Sequence, residues 1–166
     1  MTAVAYASPF VPPEWIEAHG LAPRRIFPDG DEDPASEGLC AVAGGVVRWA
    51  GNPDADALVM TTTCDQMRRS AERIPAGRLP VFLMNVPVTW QTGAARRLYR
   101  DELLRLGRFL ERAGGTRPSD GRLREVLRAS ALRRAPASKQ APESRATYFS
   151  TPVPTSGELV LRSGTA

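Results

Sequence analysis

Apolar positions in this chain fall into short unbroken runs that alternate with segments of helical period. "ALVMTT" at 57–62 and "PVFLMNV" at 80–86 are continuous apolar stretches, the pattern of strands covered on both faces. "AVAYA" at 3–7 is a shorter run of the same kind, and "PRRIF" at 23–27 a weaker one. Between the first two lies "SPFVPPEWIEAHG", where Pro12 and Pro13 suit a helix start, Glu14 suits the positive end of its dipole and Gly20 its stop. "LCAVAGGVVRWAG" reads as an almost uncharged helix buried on most sides and closed by Gly51, Asn52 and Pro53, with Gly44 and Gly45 permitting close packing. A helix is expected over 65–74 and a long one over 92–113, with Ala95, Tyr99, Leu103, Leu106, Leu110 and Ala113 on one face and Gly114 and Gly115 at its end. "SDGRLREVLRAS" is a further short helix capped by Ser119 or Asp120. Strand runs alternating with helices predict a single three-layer α/β domain around a mostly parallel four-stranded sheet.

The pattern lapses twice. "PDGDEDPASEG" at 28–38 is an acidic, turn-rich loop. From residue 131 the chain turns to Pro, Ser, Ala and Arg with little periodicity, so we divide it into a domain at 1–130 and a largely disordered tail at 131–166. "ELVLR" at 158–162 is the one strand-like stretch in that tail. No internal repeat is visible.

Composition narrows the class. At 166 residues and 42% apolar content the chain can bury one core. It has no window near the roughly 18 apolar residues a membrane span needs, and "MTAVAYASPF" lacks a basic, then apolar, leader. Two cysteines fit a reducing compartment, so a cytoplasmic setting is expected. The formal charge is +4, and every cation except Lys139 is arginine. Most of these arginines stand beside Asp or Glu at helical spacing, as on solvated helix faces. No aromatic platform accompanies them, which argues against nucleic acid and leaves a phosphate-bearing ligand open.

Candidate chemistry centres on the cysteines. Cys40 and Cys64 are too far apart for a CxxC element, but each follows a loop or strand end and opens a helix. The positive end of a helix favours thiolate, the form that binds metal. Ligands of open parallel sheets sit outside the carboxyl ends of strands, where Cys64 would stand. From the residues alone, ligand, nucleophile and small buried apolar side chain all stay open. The single histidine, His19, falls in the last turn of the first helix, where it would complement the dipole, and one histidine excludes a histidine-based zinc site. No phosphate-cradling glycine motif is present.

Set in order, "YASPFVPPEWIEAHGLAPRRI", Cys40 before a buried helix, "ALVMTTTCDQMRR", "LPVFLMNVP" and "RRLYRDELLRLGRFLE" resemble the 2-hydroxyacyl-CoA dehydratase D-component family, which includes benzoyl-CoA reductase subunits. The likeness covers about residues 4–130 and is sharpest in Thr61-Thr62-Thr63-Cys64-Asp65-Gln66-Met67-Arg68-Arg69, similar to the family's T-[NS]-S-C-D-x-M-[RK]-R. It implies two related α/β domains with a [4Fe–4S] cluster between them, held by three cysteines. Cys40 and Cys64 match the two from the N-terminal half, and the remaining iron position is left for water, a sulfur species or the thioester. It further implies an acyl-CoA substrate, a partner dehydratase subunit, and a separate ATP-dependent iron–sulfur activator that injects the electron for a ketyl-radical dehydration. On the same likeness Ser8 is a substrate-binding candidate, with a turn-capping role equally open, while Asp65 caps its helix and, with Thr63, supports the metal site from behind. Glu14 could be a base, though helix-dipole complementarity explains it more simply. The third cysteine belongs to a C-terminal domain not seen in this sequence. The expectation is therefore a short or split lyase component that needs a partner chain, set against a non-catalytic, cluster-free domain derived from the family.

Overall fold

A computed structural model describes residues 1–27, 38–51 and 53–134. The most apolar run becomes the central strand β3 (Ala57–Thr61), buried at all five positions. It is flanked by β1 (Ala3–Tyr6) and β4 (Val81–Met84), and β2 (Ala22–Arg25) lies outside β1, giving the order β2-β1-β3-β4. All three pairings are parallel, with Val4 opposite Ala57 and Leu58 opposite Val81. The sheet is thus wholly parallel, as four short strands joined through helices require.

Alternation along the strands sends side chains to two separate cores. Val4, Tyr6, Ala57, Val59, Phe82 and Met84 share one face with Ile16 of α1 (Pro13–Ala18) and with Leu106, Phe109 and Leu110 of α4 (Gly93–Arg112). Ala5, Leu58 and Met60 share the other with Val46 and Ala50 of α2 (Ala41–Gly51), while Met67 and Ala71 of α3 (Asp65–Arg73) pack against that cluster. The three-layer expectation holds. The long helix presents the expected face: Ala95, Leu106 and Leu110 are buried, and Tyr99, Leu103 and Ala113 pack against the core. Thr92 caps it, its hydroxyl accepting from the Ala95 N–H at 3.1 Å. Asn52, the acidic loop from Pro28 to Glu37, and the "ELVLR" stretch lie outside the described residues.

The last helix, α5 (Asp120–Arg134), starts at Ser119, whose hydroxyl accepts from the Arg122 N–H at 3.2 Å. It ends four residues later than the composition suggests, because its last turn is anchored. Glu14 of α1, buried at 6% exposure, accepts a 2.6 Å bond from Ser130 and pairs with Arg134, while Arg133 reaches Glu17 at 2.9 Å. Glu14 does stand in the first turn of α1, but its partners on α5 explain why it is buried.

His19 corrects a simpler expectation. It is the C-cap residue of α1 and only 2% exposed. Its Nδ1 lies 2.7 Å from the Trp15 carbonyl oxygen, its ring meets Trp15 edge-on, and its own carbonyl accepts from Thr116 at 2.9 Å. It is a structural pin between α1, α4 and the segment that leads to α5, buried just past the last turn in which the sequence places it. Trp15 completes the pin by donating from Nε1 to the Leu103 carbonyl at 3.0 Å.

Both sheet edges are occupied or blunted. The outward-facing Asn85 N–H and Leu83 carbonyl of β4 are taken by Glu102, at 2.9 Å, and by Arg105. Glu102 is itself buried and held by Arg105 at 3.3 Å. On β2, Ala22 and Ile26 donate inward to Thr2 and Tyr6, which turns Pro23, with no N–H, to the outside.

Two consequences are measurable. A Cβ added at Gly107 would sit 3.2 Å from His19 Nε2 and 3.5 Å from Trp15. Gly107→Ala should therefore cost about 1–2 kcal/mol in urea unfolding, overpacking of about 1–3 kcal/mol outweighing a helix-propensity gain of about 1 kcal/mol. Glu14→Ala should cost about 1–3 kcal/mol by stranding the Ser130 hydroxyl. In that variant the amides of α5 should lose hydrogen-exchange protection before those of β3.

Candidate functional site at the carboxyl edge of the sheet

A helix that crosses between parallel strands runs antiparallel to them, so helices begin at the edge where strands end. This constraint brings the starts of α2 and α3 to one edge. β3 leaves the sheet at Thr61, 1% exposed, and the next two threonines fasten the exit. The Thr62 N–H donates to the Met84 carbonyl at 3.0 Å, and the Thr62 hydroxyl accepts from the Val86 N–H at 3.3 Å. Thr61 and Thr63 share a hydroxyl–hydroxyl bond of 3.0 Å.

Cys64 then occupies the N-cap position of α3 with extended backbone (φ −137°, ψ 137°), and its carbonyl accepts from the Arg68 N–H at 3.1 Å. Cys40 stands just before α2, its carbonyl accepting from the Gly44 N–H at 2.9 Å. Both thiols are exposed. The buried apolar role left open by the residues alone is thereby overturned: each cysteine precedes its helix, outside the core that the helix covers.

Contrary to the expectation from the sequence, Asp65 does not cap its helix. The cap position is Cys64, with no side-chain cap bond, and Asp65 lies one residue inside the helix. Its carboxylate accepts from Arg68 at 2.8 and 3.1 Å and from Arg69 at 2.9 Å. The hydrogen bond from Arg68 leads in holding its carboxyl below the usual aspartate range, with the Arg69 charge adding to it. Asp65 thus neutralises the first turn of its own helix. Beside it, Gln66 Oε1 is buried without a hydrogen-bond partner among the described residues.

A cavity of about 200 Å³ opens at this edge between the β1–α1 loop and the starts of α2 and α3. Ser8, Thr63 and Cys64 line it together with Val42, Val46 and Met67. Three of the residues singled out from the sequence therefore meet in one place, whereas Cys40 and Asp65 lie off its wall. The Ser8 hydroxyl accepts from the Phe10 N–H at 3.3 Å, the turn-capping role, and retains its own proton to donate.

One part of the edge was not anticipated. Phe10 stacks on Trp90 with centroids 6.0 Å apart, Trp90 meets Tyr99 edge-on at 5.0 Å, and the Tyr99 hydroxyl donates to the Phe10 carbonyl at 3.0 Å. Burial pushes the Tyr99 phenol up, which keeps that proton in place. Helical spacing assigned Tyr99 to the core. The available hint was Trp90 itself, an aromatic in the loop after a strand end.

The described fold and edge define the class: an open, parallel α/β domain that presents helix-start thiols where such sheets bind ligands. The sequence matches the family described as 2-hydroxyglutaryl-CoA dehydratase, D-component, over residues 9–160, and the chain belongs to that family. It is, accordingly, a dehydratase-type component, and the match extends beyond residue 130, where the likeness read from the motifs ends. No curated protein matches the sequence. No helix among the described residues is long and apolar enough to cross a membrane.

The donor set fits a cluster in part. Two exposed thiols at helix starts are suitable ligands for iron. Among the described residues, no group of three or more His, Cys, Asp or Glu side chains could hold a metal ion. In native protein both thiols should react with Ellman's reagent at rates within about tenfold of those in urea, as exposed cysteines do. Protection of either would contradict the edge as described. Thr62→Val should lower stability by about 1 kcal/mol by removing the Val86 N–H acceptor, read from the urea midpoint.

Proposed function

We propose that the chain is a short or split component of a 2-hydroxyacyl-CoA dehydratase-type enzyme, acting with partner chains in the single-electron dehydration of an acyl-CoA thioester. Family membership supports the dehydratase class, and the single observation that carries the site assignment is the placement of Cys40 and Cys64 at two helix starts on the carboxyl edge. In this reading the two thiolates hold two corners of a [4Fe–4S] cluster. When bound, the cluster supplies one-electron transfer and a Lewis-acidic iron. The third ligand and the facing domain come from a partner dehydratase subunit, and the electron from an ATP-dependent iron–sulfur activator.

The chain's own contribution is positional. Thr61, Thr62 and Thr63 fix the strand exit and so the direction in which Cys64 points. Asp65, paired with Arg68 and Arg69, keeps the first turn of α3 free of an uncompensated charge beside the thiolate. Ser8, on the wall shared with Cys64, donates its hydroxyl proton to a thioester oxygen. Phe10 stands next to it as an apolar rim that limits water.

The competing reading is a cluster-free interaction domain, favoured by the finding that among the described residues no three metal-binding side chains are grouped to hold an ion. Anaerobic reconstitution with iron and sulfide, alone and with partner dehydratase subunits, separates the two. The proposal expects the visible absorption of an iron–sulfur cluster in the presence of a partner, lost in both Cys40→Ala and Cys64→Ala. It also expects Ser8→Ala to weaken thioester turnover about 3- to 20-fold, the loss of one hydrogen bond, without loss of that absorption. Failure of every partner to support a cluster would leave the interaction domain standing.

A further inference from the structure

A second, larger cavity of about 620 Å³ opens on the other side of the β1–α1 loop, at the carboxyl ends of β1 and β2. Its size is that of a small-molecule site, and its position outside the strand ends is where open sheets bind ligands. It lies on the face covered by α1, whereas Cys64 stands at the start of α3, which covers the other.

The wall is built from rigid apolar surface with a few polar groups. Pro9, Val11, Pro12 and Pro23 line it as hydrocarbon, and three of these four are ring-locked prolines. Its acids are already neutralised: Glu14 pairs with Arg134 and Glu17 with Arg133. Among the described residues of the wall, two polar groups make no hydrogen bond or ion pair. Tyr6, 8% exposed, lines the cavity, and its hydroxyl makes no hydrogen bond among the described residues. Arg25, on the adjacent strand end and opposite Tyr6 in the β1–β2 register, makes no ion pair there and rests its guanidinium 4.9 Å from the centre of the Phe27 ring.

We propose that this cavity binds a small carboxylic acid with a hydrocarbon body, the carboxylate held by Arg25 and the Tyr6 hydroxyl and the body packed on the proline wall. A guanidinium fork and one phenolic O–H offer donors for both carboxylate oxygens. Burial keeps the phenol protonated, because desolvation raises Tyr6 more than the Arg25 and Arg134 charges lower it. With the other two lining arginines spent on Glu14 and Glu17, the single cation left without an ion pair among the described residues of the wall matches a monoanion better than a phosphate dianion. The site goes beyond the proposed function and does not depend on it, since none of its groups is a thiol.

The full chain titrated with acetate, butyrate, hexanoate, butyramide and inorganic phosphate, followed by NMR chemical shifts, tests it. Hexanoate should bind saturably and at least tenfold more tightly than acetate. Butyramide and phosphate should each bind at least tenfold more weakly than butyrate, with the largest shifts at Tyr6, Arg25 and Val11. Arg25→Gln, at an exposed edge-strand position, and Tyr6→Phe, which removes only the hydroxyl, should each weaken hexanoate at least fivefold at unchanged melting temperature. Cys64→Ala should leave it unaltered. No saturable carboxylate binding, equal binding of butyramide, preference for phosphate, or binding indifferent to Arg25→Gln would each overturn the proposal. A cluster that fails to form would have no bearing on it.

Discussion

A parallel sheet of four short strands can persist only if both its faces are covered, and that requirement organises the molecule. β3 is buried at every position, so neither face can be left to water. Each connection must cross back over the sheet, and each crossing segment carries its helix start to the same edge. The thiols of Cys40 and Cys64, the hydroxyls of Thr63 and Ser8, and the Phe10–Trp90 stack are gathered there by topology. The chemistry at that edge depends on burial that takes place several residues away.

The covering layer is not self-sufficient everywhere. α1 has six residues, too few to be stable alone. It is held from two sides: Trp15 and His19 tie it to α4, and Glu14 and Glu17 tie it to α5. Removing α5 would take away Val126 and Ser130, which are buried against the domain, and leave Glu14 and Glu17 of α1 without their partners. This is why α5 runs on to Arg134, although the composition has already become that of a linker.

Legibility in the sequence followed the type of signal. Unbroken apolar runs and a sustained helical face left little freedom, so the strands, the parallel sheet and the inner side of α4 could be read within a residue or two. Residues whose roles depend on distant partners could not. Glu14 looked like a dipole complement because Ser130 and Arg134 are far along the chain. His19 looked like a complement to the dipole of its own helix because nothing near it in sequence announces Gly107, the gap on α4 that admits its ring. At the edge, the motif around Cys64 located the thiol correctly. The function of Asp65 needed geometry, since an acid after a capping position can serve either the backbone or nearby arginines. The aromatic cluster was hidden because Tyr99 satisfies helical spacing and a surface contact at once.

Glu102 and Arg105 carry a consequence for assembly. By occupying the outward backbone groups of β4 they close the route by which sheets commonly fuse side by side, and Pro23 withholds a donor on the opposite flank. Growth of the sheet into a continuous intermolecular ribbon is therefore discouraged in both directions. What the two flanks leave open is the end of the sheet where the helices begin and the outer helical faces, so the molecule is shaped as a tile rather than as a plank in a longer floor.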